Sequence, residues 1–354
     1  SLPRPSPNGT VIDAPPTPDP APPPAAPAPP PTPPPALPDT PRPSPTPPAP
    51  TPRPGPASRR IPSDPWFPLN PWLAAHGSSP LHPLPRGREI VLESDGLRGS
   101  LQITPGRKEA AWNGIEFLLG FEPRRRNGDT LVHFLDLESQ MTPLVSRGAG
   151  LPEGARTVVL DPGHGGINAG TRSIAGNRFE KDFTLDWARR LKPLLEKRGW
   201  TVFLTRTNDI DLSLAERVDF SEASGAGLFV SLHFNSAFPN PQPSGVEVYC
   251  LTPTGMSSHV VRDYADDASR TYPNNAFDPD NLRLALAIQG NLVRRLKLPD
   301  RGVRRARFLD VLRWQNRPAV LIEGGYLSNP SEASRIQTPE WRQKLAEAVA
   351  EAFP

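Results

Sequence analysis

The sequence predicts an α/β fold with a mainly parallel sheet flanked by helices, preceded by a small, mostly β module and a proline-rich N-terminal segment. Three observations carry this expectation. From about residue 156 onward, apolar strand-like runs alternate with amphipathic helix-like runs, the rhythm of a parallel sheet with crossover helices. Between about residues 86 and 147, short alternating runs are separated by Ser94-Asp95-Gly96, Pro105-Gly106, Asn113-Gly114 and Asn127-Gly128-Asp129, which are turn signals. About half of the 51 prolines fall within roughly the first sixty residues.

Taken in order, residues 1–62 have almost nothing to bury and few backbone donors, so they cannot repay the entropy of folding. They read as an extended spacer with a reach on the order of 150 Å at ~3.1 Å per residue; a ligand for SH3- or WW-like partners is the alternative. Residues 63–85 are transitional, with Trp66, Phe67 and Trp72 between prolines and suited to pack on a neighbouring domain. Residues 86–147 form the β-rich module, its last run ending in a short helix around Leu135 to Leu144. About sixty residues leave such a module little core of its own. His133 lies inside a strand run and reads as a structural histidine.

The α/β unit is 156–354. "RTVVLDPG" reads as a strand and "EKDFTLDWARRLKPLLEKRG" as a helix, followed by strand "WTVFLTR" and helix "LSLAERVDFSEASG". "GLFVSLHFNS" and "SGVEVYCLTP" are strands, and "DNLRLALAIQGNLVRRLKL" is a long amphipathic helix. "FLDVLRW" and "PAVLIEGGYLSN" read as strands before the closing helix "PEWRQKLAEAVAEAF".

Composition narrows the function. Forty Lys+Arg against 37 Asp+Glu give a net charge of only +3, too small an excess to argue for nucleic acid. The basic groups Arg124-Arg125-Arg126 and Arg304-Arg305 read first as solvated faces. A lone Cys250 excludes an internal disulfide and a CxxC metal knuckle. No run approaches the ~18 apolar residues that span a bilayer. The chain begins with Ser1, so the expectation is that an N-terminal segment has been removed or omitted; a signal segment is not visible.

In α/β sheets functional groups gather where strands end. His164 follows the first strand of the unit, His233 stands near the end of "GLFVSLH", and Glu323 ends "PAVLIE". Each opens into glycines or small polar residues: Gly165-Gly166, Asn235-Ser236, Gly324-Gly325. Glu180 begins the first helix, a place favoured for any acid by the helix dipole. Beside two neutral imidazoles, however, its carboxylate completes a His₂Glu set of the kind that holds catalytic zinc and leaves a position for water. The glycines around His164 would then let a substrate backbone approach.

The segments "LDPGHGG", "EKDFTL", "TRTND", "LAER", "SLHFNS", "GVEVY" and "PAVLIEGGYLSNP" resemble the zinc-dependent N-acetylmuramoyl-L-alanine amidases of bacterial cell-wall turnover, over about residues 156 to 353. The resemblance implies a sheet of about six strands, one zinc ion held by His164, Glu180 and His233, and Glu323 as the catalytic carboxylate. It implies peptidoglycan as substrate, cleaved at the amide between N-acetylmuramic acid and L-alanine, and a periplasmic or extracellular place of work. It leaves room for an activator or a wall-bound protein partner. Asn235, Arg304 and Arg305 are the candidate substrate-binding residues, the arginines as partners for stem-peptide carboxylates.

Two departures stand out. Asn168 occupies a position where the family usually has Asp, a change expected to touch no ligand. The segment Thr252 to Asp280 is longer and more polar than usual, and is expected to be a surface loop with His259 exposed to solvent. The "NGIEFLLGFEP" and "NGDTLVHFLDLESQMTPLV" runs are similar to copper amine oxidase-like N-terminal modules, implying accessory binding at most. Two other functions are compatible with parts of the pattern: a silent wall-binding module, which would not need Glu323 beside a full ligand set, and a zinc deacetylase of wall sugars, which would release acetate.

Overall fold

The computed structural model describes residues 61–86, 89–96, 98–261 and 266–354. The proline-rich segment up to residue 60 lies outside the described residues.

The N-terminal part opens with β1 (Trp66–Pro68), α1 (Leu69–Ala75), β2 (His82–Arg86) and β3 (Glu89–Gly96). Then come β4 (Gly99–Ile103), β5 (Glu109–Trp112), β6 (Ile115–Leu118), β7 (Arg124–Arg126) and β8 (Asp129–His133). The anticipated helix follows as α2 (Phe134–Asp136), a π-helical turn at Leu137–Met141 and α3 (Thr142–Arg147). Strands β1, β8 and β7 form a separate three-stranded sheet, in which Trp66 pairs with His133. His133 is buried, its Nδ1 accepts the Leu135 N–H, and its ring stacks on Phe121. It is therefore structural. Phe67 and Trp72 pack against the main core.

The remainder supplies β9 (Thr157–Pro162), α4 (Glu180–Glu196), β10 (Thr201–Leu204), α5 (Leu214–Ser224), β11 (Leu228–Asn235) and β12 (Val246–Cys250). These are followed by α6 (Asp278–Leu296), β13 (Asp300–Arg305), α7 (Asp310–Arg313), β14 (Ala319–Tyr326), α8 (Pro330–Ile336) and α9 (Pro339–Ala350). The six strands lie in the order β10-β9-β11-β14-β12-β13, parallel throughout except where β12 runs antiparallel to β14.

One assignment needs correction. The run "FLDVLRW" is not a strand but contains the short helix α7. Its apolar residues recur at i and i+3 (Phe308/Val311, Leu309/Leu312), a helical spacing, and Val311 and Leu312 pack beside Phe229 and Leu321.

Alternation along the strands divides the core in two. Val158, Leu160, Val230, Leu232, Val320 and Ile322 face the larger cluster beneath α4, α6 and α9. Val159, Phe229, Ala319 and Leu321 face the smaller cluster beside α5 and α7. Period-two geometry then dictates that Asp161, Ser231, His233 and Glu323 project from the second face. Polar groups thus continue, strand by strand, the column that Val159, Phe229 and Leu321 begin.

The sheet does not stop at β13. β6 pairs with it in parallel, Phe117 opposite Val303, and the order runs on through β5, β4, β3 and β2 to eleven strands. Asp300 staples the seam: its Oδ2 accepts the Glu116 N–H, and its Oδ1 accepts from Gln289 Nε2 and the Gly302 N–H. Leu101, Ile103, Trp112 and Phe117 belong to the same buried cluster as Leu160 and Leu232. A module with too little core of its own is stabilised by adding its strands to a neighbour's.

Phe117, fully buried at this seam, is a direct probe of that sharing. Phe117→Ala should cost about 3–5 kcal/mol, as a truncated core aromatic does. In denaturant melts, loss of the near-ultraviolet tertiary signal and loss of the far-ultraviolet secondary-structure signal should shift together as one transition. Two separate transitions, with only the module's destabilised, would contradict a shared core.

Candidate metal centre

His164, Glu180 and His233 converge, with donor atoms all within 4.8 Å of one another. Three different elements deliver them. His164 leaves β9 on a turn in which its own φ is +61°, a left-handed conformation uncommon for a residue with a side chain. Glu180 is the first residue of α4, whose start is fixed by Asp182 Oδ2 accepting the Phe179 N–H. His233 lies near the end of β11, side by side with Glu323 on β14.

The Glu180 carboxylate is buried and bridges the two imidazoles: Oε2 is 3.1 Å from His164 Nε2, and Oε1 is 2.9 Å from His233 Nδ1. Burial alone would push this carboxyl upward, but the hydrogen bonds and charge of the two histidines outweigh it and hold the group well below the usual carboxylate range. Burial likewise presses His164 down, and the bond to Glu180, its charge and the bond to Asn168 reverse that and leave it raised. An ionised, buried carboxylate between two imidazoles is a place for a cation. The donor set also fits zinc in kind and spacing: donors at ~2.0–2.1 Å from a tetrahedral ion lie roughly 3.3 Å apart.

Asn168 corrects one expectation. Its Oδ1 is 2.8 Å from His164 Nδ1, so it does touch a metal-site residue. An amide oxygen there can only accept, which assigns the proton to Nδ1 and leaves Nε2 as the donor toward a metal. The glycines correct another. A Cβ on Gly163 would come within 2.3 Å of the His233 ring, and one on Gly170 within 2.7 Å of Glu180 Oε2 and His164 Cδ2. On Gly165 and Gly166 it would meet the Ile210 carbonyl and the Asp211 N–H, at 2.1 and 2.6 Å, so these glycines make room for the protein's own atoms and not for a substrate backbone.

Beneath the site lies a buried polar brace that no single motif announces. Asp161 receives Arg217 Nη1 and Thr205 Oγ1 at 2.6 Å each on Oδ1, and Ser231 Oγ at 2.8 Å on Oδ2. Arg217 also donates to the carbonyls of Pro162 and His164, and Arg206 to those of Pro162 and Gly163. The turn carrying His164 therefore has three successive carbonyls fixed by two buried guanidiniums. Burial pushes Asp161 up, but the Arg217 charge and three side-chain hydrogen bonds more than offset it, so the carboxyl stays low. Burial and the nearby Arg217 lower Arg206 to about 10. The segments "LDPG", "TRTND", "LAER" and "SLHFNS" contain these residues; the usable signal was a charge or hydroxyl inside each apolar run.

The remaining expected residues separate. Asn235 ends β11, and its Nδ2 donates to Glu247 Oε1 at 2.6 Å. Arg304 is partly exposed on β13, 3.4 Å from Glu116 and 3.8 Å from Glu247. Arg305, its neighbour, points to the opposite side, is 1% exposed and donates to the Leu251 carbonyl, so it has no surface to offer a ligand. His259 is half-buried rather than solvent-exposed: it donates its N–H to the Arg305 carbonyl and accepts the Arg305 N–H on Nδ1. Burial, then the Arg305 charge, push its imidazole down to about 3. Cys250 is a core residue, as expected.

A family model described as N-acetylmuramoyl-L-alanine amidase matches residues 158–353. Among curated relatives, the N-acetylmuramoyl-L-alanine amidase AmiA of Escherichia coli is 32% identical over 219 residues, covering 56% of this chain and 75% of that protein. Among solved structures, an N-acetylmuramoyl-L-alanine amidase from Clostridium difficile is 33% identical with a TM-score of 0.47, covering 56% of this chain and 94% of the other. The amidase AmiC2 of Nostoc punctiforme is 30% identical with a TM-score of 0.47, covering 57% and 97%.

The brace can be tested apart from chemistry. Arg217→Met strands Asp161 as a buried, unneutralised carboxylate, which should cost about 3–5 kcal/mol in a denaturant titration at neutral pH. Because Asp161 is held low in the folded state, its contribution is full above the ordinary Asp value of about 3.9 and is lost as pH falls through its depressed value. The variant should thus lose part of the acid-side decline in stability. An unchanged midpoint at neutral pH would show that the brace is dispensable.

Proposed function

The chain belongs to the N-acetylmuramoyl-L-alanine amidase family and is a peptidoglycan hydrolase that cleaves the amide between N-acetylmuramic acid and L-alanine. From that premise we propose that residues 156–354 are its catalytic part, with one zinc ion held by His164, Glu180 and His233 and with Glu323 handling protons. The observation that supports this reading best is the convergence of three donors from β9, α4 and β11 beside a carboxylate on the adjacent strand. Zinc in such a set would supply Lewis acidity, activating water and polarising the scissile carbonyl.

The protein's own groups do the rest. Asn168 holds the His164 ring and its tautomer; Arg206 and Arg217 hold the turn that presents it. Glu323, level with His233 across the β11–β14 pair, takes the proton from the attacking water and passes it to the departing amine, a role worth ~10²–10⁴-fold in rate. Asn235 and Arg304 border the next part of the cleft and face the substrate. The 86–147 module is accessory. The enzyme works in the cell envelope, periplasmic or extracellular, with an activator or wall-bound protein as its candidate partner. Among the described residues no helix is long and apolar enough to cross a membrane.

His164→Ala or His233→Ala removes one of three ligands, and each purified variant should lose stoichiometric zinc by elemental analysis. Retention of full zinc in both would sink the ligand assignment.

Glu323→Gln keeps size but cannot take up the water proton as a carboxylate does. Zinc content and muropeptide binding should stay at wild-type levels while turnover, followed as release of stem peptide by mass spectrometry, falls at least ~10²-fold. Near-normal turnover with zinc retained would move the proton role elsewhere; loss of zinc would make Glu323 a ligand.

A further inference from the structure

Past Glu323 the cleft opens into a second cavity of about 390 Å³, lined by Asn235, Glu247, Tyr249, Arg301, Arg304 and Tyr326. Strand pairing explains why it lies there. His233 on β11 is level with Glu323 on β14, which is level with Glu247 on β12. On β13, Val246 and Val248 of β12 pair with Asp300 and Val303, so Glu247 faces the stretch Arg301–Gly302. With strands ~4.8 Å apart, His233, Glu323, Glu247 and Arg301 form one row roughly 14 Å long.

Arg301 reaches back along this row, its guanidinium carbon 5.0 Å from the centre of the Tyr326 ring on β14. Its Nε is 3.5 Å from Glu247 Oε2, and Arg304 Nε is 3.8 Å from the same oxygen. Glu247 is 3% exposed and is itself anchored by Asn235 Nδ2 and the Tyr326 hydroxyl. It therefore grips both arginines from below. Among the described residues, no hydrogen bond occupies the two terminal Nη atoms of Arg301, which is about one-third exposed in the cavity. A planar guanidinium fork, fixed by a ring and a buried acid, with its terminal donors open, matches one ligand chemistry: a carboxylate bound by two parallel N–H···O bonds.

We propose that Arg301, with Arg304 beside it, forms a subsite for a free carboxylate on the stem-peptide residue that follows L-alanine. The proposal rests on the amidase reading. An extended chain advances ~3.3–3.6 Å per residue, so a carboxylate one or two residues beyond the scissile amide falls past Glu323 toward β13. The stem then crosses β14, β12 and β13, and the sugar lies on the other side of the metal centre, at the cavity of about 420 Å³ that Leu214 and Val311 help to line. Such a subsite discriminates chemically. A stem amidated at that carboxyl presents no charge to the fork and leaves its donors poorly matched.

The test compares two muropeptides, identical except that this carboxyl is free in one and amidated in the other, as substrates of the zinc-loaded full chain. Wild type should prefer the free acid by about 10- to 100-fold in kcat/KM, the range expected of charge-assisted hydrogen bonds. Arg301→Gln should collapse that ratio to near one. Arg301→Lys, which keeps the charge but not the fork, should fall between. A misfolded variant lowers both substrates alike, so the ratio is the readout, and zinc content and melting temperature accompany each protein. Equal rates on both substrates in wild type, or an unchanged ratio in both variants, would overturn the subsite alone. Failure of wild type to cleave either would remove the amidase reading, and the subsite with it.

Discussion

The buried pair of Asp161 and Arg217 is the constraint from which the rest of the site is built. A strand that ends by turning a side chain into a cleft leaves its next carbonyls pointing into the protein, where water cannot satisfy them. Here Arg217 and Arg206 take those carbonyls, and Asp161 neutralises Arg217. Isolated buried charges would be prohibitive; paired and saturated with hydrogen bonds, they become a rigid anchor. That anchor lets His164 keep a left-handed backbone conformation, and it holds the turn against the 209–211 stretch, where Asp209 Oδ1 accepts the Gly166 N–H. Thr205, Arg206 and Arg217 come from the β10–α5 region and Ser231 from β11, so three neighbouring segments converge on one turn.

Above this anchor, strand periodicity does most of the placement. The polar residues of the brace and the cleft occupy the same face, two positions beyond core residues: Asp161 after Val159, Ser231 after Phe229, Glu323 after Leu321. Only Glu180 arrives from outside the sheet, at the start of α4, where the exposed N–H groups of a helix favour an acid. The extended sheet broadens this face beyond the metal centre. Because β6 is paired to β13, the strand that bears Arg301 and Arg304 is internal rather than an edge, and Glu116 from the module reaches Arg304.

Much of this was legible in the sequence, and the failures have physical reasons. Polar residues ending apolar runs singled out His164, His233 and Glu323, and Glu180 stood at a helix start; the fold brings the first two together with Glu180 and sets Glu323 on the adjacent strand. The alternation of strands and helices predicted a mainly parallel sheet, but it placed a strand at 308–314 and missed β13, whose Asp-Arg-Gly-Val-Arg-Arg run is too charged to read as a buried strand. The run from Phe308 to Trp314 misled because its dense apolar residues read as a buried strand, although their i, i+3 spacing is that of a short helix. Arg305 could not be told from Arg304 without knowing that both lie on β13 itself, where neighbours point to opposite faces. His259 was read as exposed from the polarity of its surroundings, whereas one backbone pairing with Arg305 draws it inward. The brace was missed because its partners lie 44 to 70 residues apart and each polar residue within its run, taken alone, is ordinary.

In the proposed centre His164, Glu180 and His233 hold one zinc ion while Glu323 stays outside the coordination shell. Anomalous diffraction at the zinc edge, on crystals of the zinc-loaded protein, tests it most directly. The prediction is a single peak within ~2.0–2.2 Å of one donor atom from each of the three residues, with Glu323 farther away. A peak bound by Glu323 in place of Glu180, or one lying away from the two histidines, would contradict it.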